Sequence, residues 1–218
     1  YRLRRERGEQ GRDPDSLHFH LLVGSGGLLP THNRWVRQAF EGELRRRGVT
    51  LHRDADVVGA SAGHLALAGG GDVAVDEIVW VTRAGGAPWL RETGLALDDK
   101  GFIQVTDSLQ TVTDPMIFAA GDVASILGRP LEKAGVFAVR QGRPLADNLR
   151  RSLLGETPRP YHPQRRWLAL ISTGDRHAVA SRGWIGFRGD WVWRWKDWID
   201  RRFMRRFNEL PAAMSPPP

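Results

Sequence analysis

Residues 111 to 122, Thr-Val-Thr-Asp-Pro-Met-Ile-Phe-Ala-Ala-Gly-Asp, constrain this chain more than any other stretch. Asp114-Pro115 starts a turn, and Met116 to Ala120 form a continuous apolar run suited to a strand buried on both faces. Gly121 then lets the backbone come close to a ligand, and Asp122 falls at the strand's carboxyl end. Ligands of open α/β sheets bind at such ends, where a carboxylate accepts hydrogen bonds from sugar-alcohol hydroxyls. The alternative for a Gly-Asp pair taken by itself is a buried strand closing in an ordinary turn.

The rest of the chain reads as alternating strands and helices. His18 to Val23 is a strand, Asn33 to Arg47 a helix with Trp35, Val36, Ala39, Phe40 and Leu44 at helical spacing, and Gly48 its stop. Val49 to Leu51 starts the next strand. Leu65 to Leu67 and Val73 to Val75 flank Gly69-Gly70-Gly71-Asp72 as a hairpin, and Glu77 to Thr82 reads as another buried strand. Gly24-Ser25-Gly26-Gly27 is not a dinucleotide fingerprint, because Leu28-Leu29-Pro30-Thr31-His32 separates it from the helix whose amides would face a pyrophosphate. A second helix runs from about Lys133 to Leu154, with Val136, Phe137, Val139, Leu145 and Leu149 as its apolar face. After the stiff, extended Pro158 to Pro163 come strands at Trp167 to Thr173 and His177 to Arg182, then Trp184 to Phe187 and a Trp- and Arg-rich segment, Trp191 to Leu210.

Composition narrows the function classes. The chain has no cysteine, which removes disulfides, thiolate metal ligands and thiol catalysis within these 218 residues. No His or carboxylate cluster has metal-ligand spacing, and no nucleophile and base are arranged for hydrolysis. The net charge of +7 is uneven: residues 1–128 carry 14 Lys/Arg against 17 Asp/Glu, and residues 129–218 carry 18 against 8. No apolar run reaches the roughly 18 to 20 residues that cross a bilayer, and no signal peptide stands out, which leads us to expect a cytoplasmic protein. The first residue is Tyr1, and the charged run to Arg12 reads as the tail of a helix, so a carboxyl-terminal piece of a longer protein is expected.

The Thr111 to Asp122 segment resembles the second FAD motif of the two-dinucleotide-binding-domain flavoproteins, the pyridine nucleotide-disulfide oxidoreductase superfamily. The resemblance implies an α/β protein with Rossmann-like FAD- and NAD(P)-binding domains, partial because the amino-terminal part is missing, followed by a small α+β carboxyl-terminal region. Its domains would be the latter part of the NAD(P)-binding domain at 1–95, the return segment of the FAD-binding domain at 96–157, and a hairpin with an amphipathic helix at 158–218. The implied cofactor-binding residues are Gly121 and Asp122, with Asp122 on the ribityl chain, and Lys133, Ala134, Gly135 and Val136 against the flavin ring, mostly through backbone amides. Lys133 would add a cation there, or would be an exposed residue in a helix's first turn. The redox-active cysteine pair and the catalytic groups would belong to a preceding segment, so no catalytic residue is assigned.

The chain departs from the family's pattern twice. Gly24 and Ser25 stand where the family often has an acidic residue for the adenosine ribose, which leaves NADH and NADPH both open. Arg83 stands where a glycine is usual, either contacting a cofactor phosphate or solvated in a relaxed loop. Lys133 to Gly142, Leu170 to Arg176 and Trp195 to Met204 also resemble the FAD-dependent oxidoreductase associated with, or fused to, selenide, water dikinase, and more broadly type II NADH dehydrogenases.

Three functions follow. The first is an FAD-dependent NAD(P)H oxidoreductase that passes a hydride from nicotinamide to flavin and electrons on to a quinone or other small-molecule acceptor. Its implied partner is the selenophosphate-forming enzyme, and its implied location is the cytoplasm or the inner face of the membrane, with peripheral contact through 191–210. An ordinary domain helix is the favoured reading of that last segment. The second is a non-catalytic scaffold derived from a flavoprotein. The third, nucleic-acid binding by the basic aromatic tail, is disfavoured by Asp197, Asp200 and the apolar helical face.

Overall fold

The computed structural model describes residues 2–82 and 84–209. In chain order it runs α1 (Arg2–Glu9), β1 (Phe19–Leu22), α2 (Arg34–Arg46), β2 (Val49–His52), β3 (Val57–Ser61), β4 (His64–Leu67), β5 (Asp72–Ala74), β6 (Ile103–Val105), β7 (Ala124–Ile126), α3 (Gly135–Leu153), β8 (Ala169–Ser172), β9 (Ala178–Arg182), β10 (Ile185–Gly189) and α4 (Asp190–Asn208). Among the described residues the chain divides into two compact units, the first made of the stretches up to 78 and from 166 onward, the second of 79–165. Arg83 and Leu210 lie outside the described residues.

In the first unit, β1, α2 and β2 make a parallel crossover in which Phe19 pairs with Val49 and Leu22 with His52. Asn33 starts α2 by accepting from Val36 N–H at 3.0 Å, and the 36, 39, 43 spacing turns Val36, Ala39 and Glu43 inward. The expected hairpin is β4–β5, to which β3 adds a third antiparallel strand that its Gly59 and Ser61 had hidden in the sequence. β8, β9 and β10 form an antiparallel sheet covered by α4, whose Val192 packs on Ala178 and Ala180. Burying one such valine contributes about 1.5–3 kcal/mol.

The same unit joins residues far apart in the chain. Gly186 on β10 lies against α2 so closely that a Cβ there would come 2.4 Å from the Trp35 ring. His32 Nδ1 and Ser181 Oγ are 2.8 Å apart, Asn33 donates to the Gly183 carbonyl at 3.0 Å, and Arg47 meets Asp175 at 2.7 Å. Both ends of α2 are thereby tied to the sheet of β8–β10.

The second unit is built around parallel β6 and β7, which pair Ile103 with Ala124 and Val105 with Ile126. Leu90, Val105, Leu109, Ala119, Ile126 and Tyr161 are buried together. Two strand expectations are corrected. Residues 76–82 form no strand, and Val79, Trp80 and Val81 are exposed, because no neighbouring strand pairs with them among the described residues. Met116–Ala120 is likewise not a strand buried on both faces. Met116 is 69% exposed, and the run has one bridge, Gln110 with Phe118. Turn chemistry prevails there: Thr111 Oγ1 donates to the Asp114 carbonyl at 2.7 Å, and Met116 N–H donates to Asp114 Oδ1 at 2.8 Å. The expected stretch Pro158 to Pro163 is extended but docked, since Tyr161 is buried and its N–H donates to the Asp107 carbonyl at 2.7 Å.

Candidate functional site

Gly121 to Val123 form a single 3-10 turn that leads directly into β7. Gly121 has φ +73°, a left-handed conformation that favours glycine, and a Cβ there would lie 3.4 Å from the Ala138 Cβ on α3. Its N–H donates to Oε1 of Gln141, a side chain of α3 that is only 3% exposed. The turn is therefore fastened to the first half of α3. Asp122 is exposed, leaving a carboxylate with free acceptor capacity beside a fixed backbone turn.

The amino terminus of α3 is left uncapped. Ala134 is extended (φ −135°, ψ 137°) and makes no side-chain cap, while its carbonyl accepts from Phe137 N–H at 2.9 Å. No protein acceptor meets the N–H groups of Gly135 and Val136 among the described residues. Two orphan donors at the positive end of a 19-residue helix favour an electron-rich or anionic group.

Lys133 is not an exposed residue in the first turn of the helix. It precedes the helix, and its Nζ donates to the Ala124 carbonyl at 2.6 Å while lying 3.9 Å from the Phe102 ring centroid. Burial pulls its pKa below the ordinary lysine value, against the opposing pull of Asp98 and Asp122. Asp98 accepts from Phe102 N–H at 2.9 Å and Lys100 N–H at 3.0 Å. Burial alone would raise its pKa; those bonds, Ser125 and Lys133 outweigh it and hold the carboxyl below its usual range. Lys133 thus braces the segment before α3 against β7, with its charge already engaged by the protein.

Two residues without an assigned role in the sequence reading fix this arrangement. Phe137, Gln141, Leu145 and Asn148 share one face of α3, and the two amides among them carry the positioning. Asn148, 1% exposed, donates to the carbonyls of Ser108 and Arg159 at 2.8 Å each and accepts from Arg159 N–H at 2.8 Å. Amides recurring on an otherwise apolar helical face were the available signal.

On the other unit, α4 packs through Val192 and leaves a different face bare. Trp184 is 92% exposed, and Phe187, Trp191, Trp195 and Trp198 are also exposed, with Trp191 and Trp195 stacked at 6.5 Å. No described helix is long and apolar enough to cross a membrane.

Comparison with known proteins follows the same lines. The pyridine nucleotide-disulphide oxidoreductase family matches residues 15–145. An NADH dehydrogenase-like protein of Mycobacterium tuberculosis is 26% identical over 186 residues, 78% of this chain and 46% of that protein. The type II NADH:quinone oxidoreductase of Haemophilus influenzae is 28% identical over 116 residues, 53% of this chain and 26% of that protein. The chain thus spans less than half the length of these relatives. Among solved structures, the sulfide:quinone oxidoreductase of Aquifex aeolicus superposes with a TM-score of 0.73 at 15% identity, over 93% of this chain and 52% of that one, which shows a shared fold. With the family match spanning more than half of its residues, the chain belongs to the pyridine nucleotide-disulphide oxidoreductase family.

Proposed function

We propose that the full-length protein is an FAD-dependent NAD(P)H oxidoreductase that delivers electrons to a quinone-type acceptor. The observation that carries this reading is the tie between Gly121 and Gln141, which holds an exposed carboxylate and an uncapped helix terminus in one cluster. The donor set fits the flavin cofactor: Asp122 offers acceptors for ribityl hydroxyls on a turn that Gly121 lets close against Ala138 of α3, and the amides of Gly135 and Val136 would face a ring edge that gains negative charge on reduction. FAD and NAD(P)H are the cofactors of the family, and when bound they carry the hydride and electron chemistry. The protein's own residues orient, hydrogen-bond and electrostatically bias that chemistry. Lys133, whose ammonium donates to the Ala124 carbonyl, braces the segment that leads into α3.

Within this reading, residues 1–95 serve the nicotinamide nucleotide, 96–157 the flavin, and 158–218 form the carboxyl-terminal region. The quinone reading is supported by the names of the Haemophilus and Aquifex relatives and by the exposed aromatic face of β10 and α4, which suits a membrane interface. The finer link to a selenophosphate-forming partner rests on the residue runs at 133–142, 170–176 and 195–204. Co-elution with purified selenide, water dikinase tests it, and separate elution counts against it.

The competing reading, a scaffold that has lost its chemistry, is favoured by Gly24 at the end of β1. Anaerobic addition of NADH or NADPH to the full-length protein separates the two. The oxidoreductase reading expects the visible flavin band to bleach and to return when a soluble quinone analogue is added. A protein without that band, or one whose band neither nucleotide bleaches, contradicts it.

A further inference from the structure

Gly24 and Ser25 leave the carboxyl end of β1 without the acidic side chain that doubly wound sheets use there to hold an adenosine ribose. The structure brings a carboxylate to that place from another part of the chain. Asp56, on the loop between β2 and β3, lies so close to Gly24 that a Cβ on the glycine would come 2.1 Å from Asp56 Oδ1. Ser25 N–H donates to Asp56 Oδ2 at 3.3 Å. The loop is carried across the strand end by backbone bonds, from Val23 N–H to the His52 carbonyl at 2.9 Å and from Ala55 N–H to the Val23 carbonyl at 3.0 Å. The absent side chain at position 24 and the presence of Asp56 are thus one fact: the glycine makes the room that the aspartate fills.

We propose that Asp56 is the specificity-determining residue for the nicotinamide nucleotide, accepting hydrogen bonds from the adenosine ribose diol and selecting NADH over NADPH. The inference rests on the NAD(P)H reading given above. Asp56 is exposed, so its remaining lone pairs are open to two hydroxyl donors. A 2′-phosphate removes one of those donors and sets a second negative group against the carboxylate, so the same side chain rewards one nucleotide and repels the other. A neighbouring crevice of about 350 Å³, between the loop after β1 and α2, is lined by Val23, Leu28 and Leu51 together with Arg34, Arg37 and Arg53. Arg53 is engaged by Glu41 at 2.6 Å, whereas Arg34 and Arg37 would suit a phosphate. They define the opposite outcome.

Calorimetric titration of the full-length protein with NADH and with NADPH tests the assignment, using the wild type, Asp56→Asn and Gly24→Ala. The first variant removes the charge and keeps the shape; the second drives the carboxylate aside by turning a flexible side chain. The proposal expects wild type to bind NADH about tenfold or more tightly than NADPH, and each variant to lose about tenfold in NADH affinity while NADPH affinity holds or improves. Flavin content should be unaltered in both. A wild type that prefers NADPH, or an NADH-to-NADPH ratio unchanged in both variants, overturns the role of Asp56 alone. A wild type that binds neither nucleotide overturns the oxidoreductase reading as well.

Discussion

The side-chain oxygen of Gln141 accepts the backbone N–H of Gly121, and through this bond a buried residue of α3 fixes the turn that presents Asp122. Replacing Gln141 by Leu keeps the volume of the helix face but strands a partly buried N–H, at a cost of about 1–3 kcal/mol. The expected outcome is a lower melting temperature and weaker FAD binding, measured by thermal denaturation and by titration of the apoprotein with FAD. Unchanged FAD affinity would show that the turn holds its shape without α3.

Asn148 has the same kind of role farther along the helix, with three hydrogen bonds to Ser108 and Arg159. Asn148→Ala should cost about 2–4 kcal/mol, because two carbonyls and one N–H lose their partner in or near the core. Limited proteolysis should then cut the 155–165 segment that wild type protects, and equal resistance in the two proteins would count against this anchoring role.

Acid should loosen the first unit. At Asp175 burial alone raises the pKa, but Arg47 and Thr173 outweigh it, and at Glu43 Arg46 and Arg47 do the same, so both folded carboxyls titrate below their ordinary values. Depressed carboxylate pKa values contribute stability that is present above the unfolded value, about 4, and is lost as pH falls through the folded values. Tryptophan-monitored melting from pH 7 down to pH 3 should show wild type losing stability more steeply than Asp175→Asn, with about 1–2 kcal/mol separating them at pH 7. Parallel curves would mean that the Arg47 pair carries no net energy.

The exposed tryptophans of α4 make a surface prediction. Trp191, Trp195 and Trp198 lie on a helix that also carries Arg201, Arg202, Arg205 and Arg206. Sedimentation with vesicles containing anionic lipid should be reduced about tenfold or more when the three tryptophans are changed to serine, with thermal denaturation confirming that the variant is folded at the assay temperature, since each ring is only about half exposed. Equal sedimentation of both proteins would leave the helix as an ordinary cover for its sheet.

The sequence disclosed what local rules decide. Asn33 and Gly48 bracket α2, glycines mark the β4–β5 turn, and the apolar spacing of α3 is regular, so those elements could be read directly. Strands whose identity depends on a neighbour could not. Val79 to Val81 are as apolar as any strand, yet lie exposed without a pairing partner, while the short Ala124 to Ile126 forms a ladder because Ile103 to Val105 comes alongside. The site divides in the same way. Gly121 and Asp122 are visible as a motif, whereas Gln141 and Asp56 act through contacts 20 and 31 residues away in the chain. An amide on the apolar face of α3 hints that Gln141 has a partner without naming it, and nothing local to Asp56 announces its contact.

In the proposed function Asp122 helps to hold FAD. The most direct measurement of this is the flavin content of full-length wild type and Asp122→Ala after identical purification, read from the visible spectrum together with the FAD dissociation constant of each reconstituted protein. The expected outcome is a yellow wild type and a variant that loses most of its flavin and binds it about tenfold or more weakly, the worth of the charge-assisted hydrogen bonds removed. A variant as yellow as wild type, with the same dissociation constant, would contradict it.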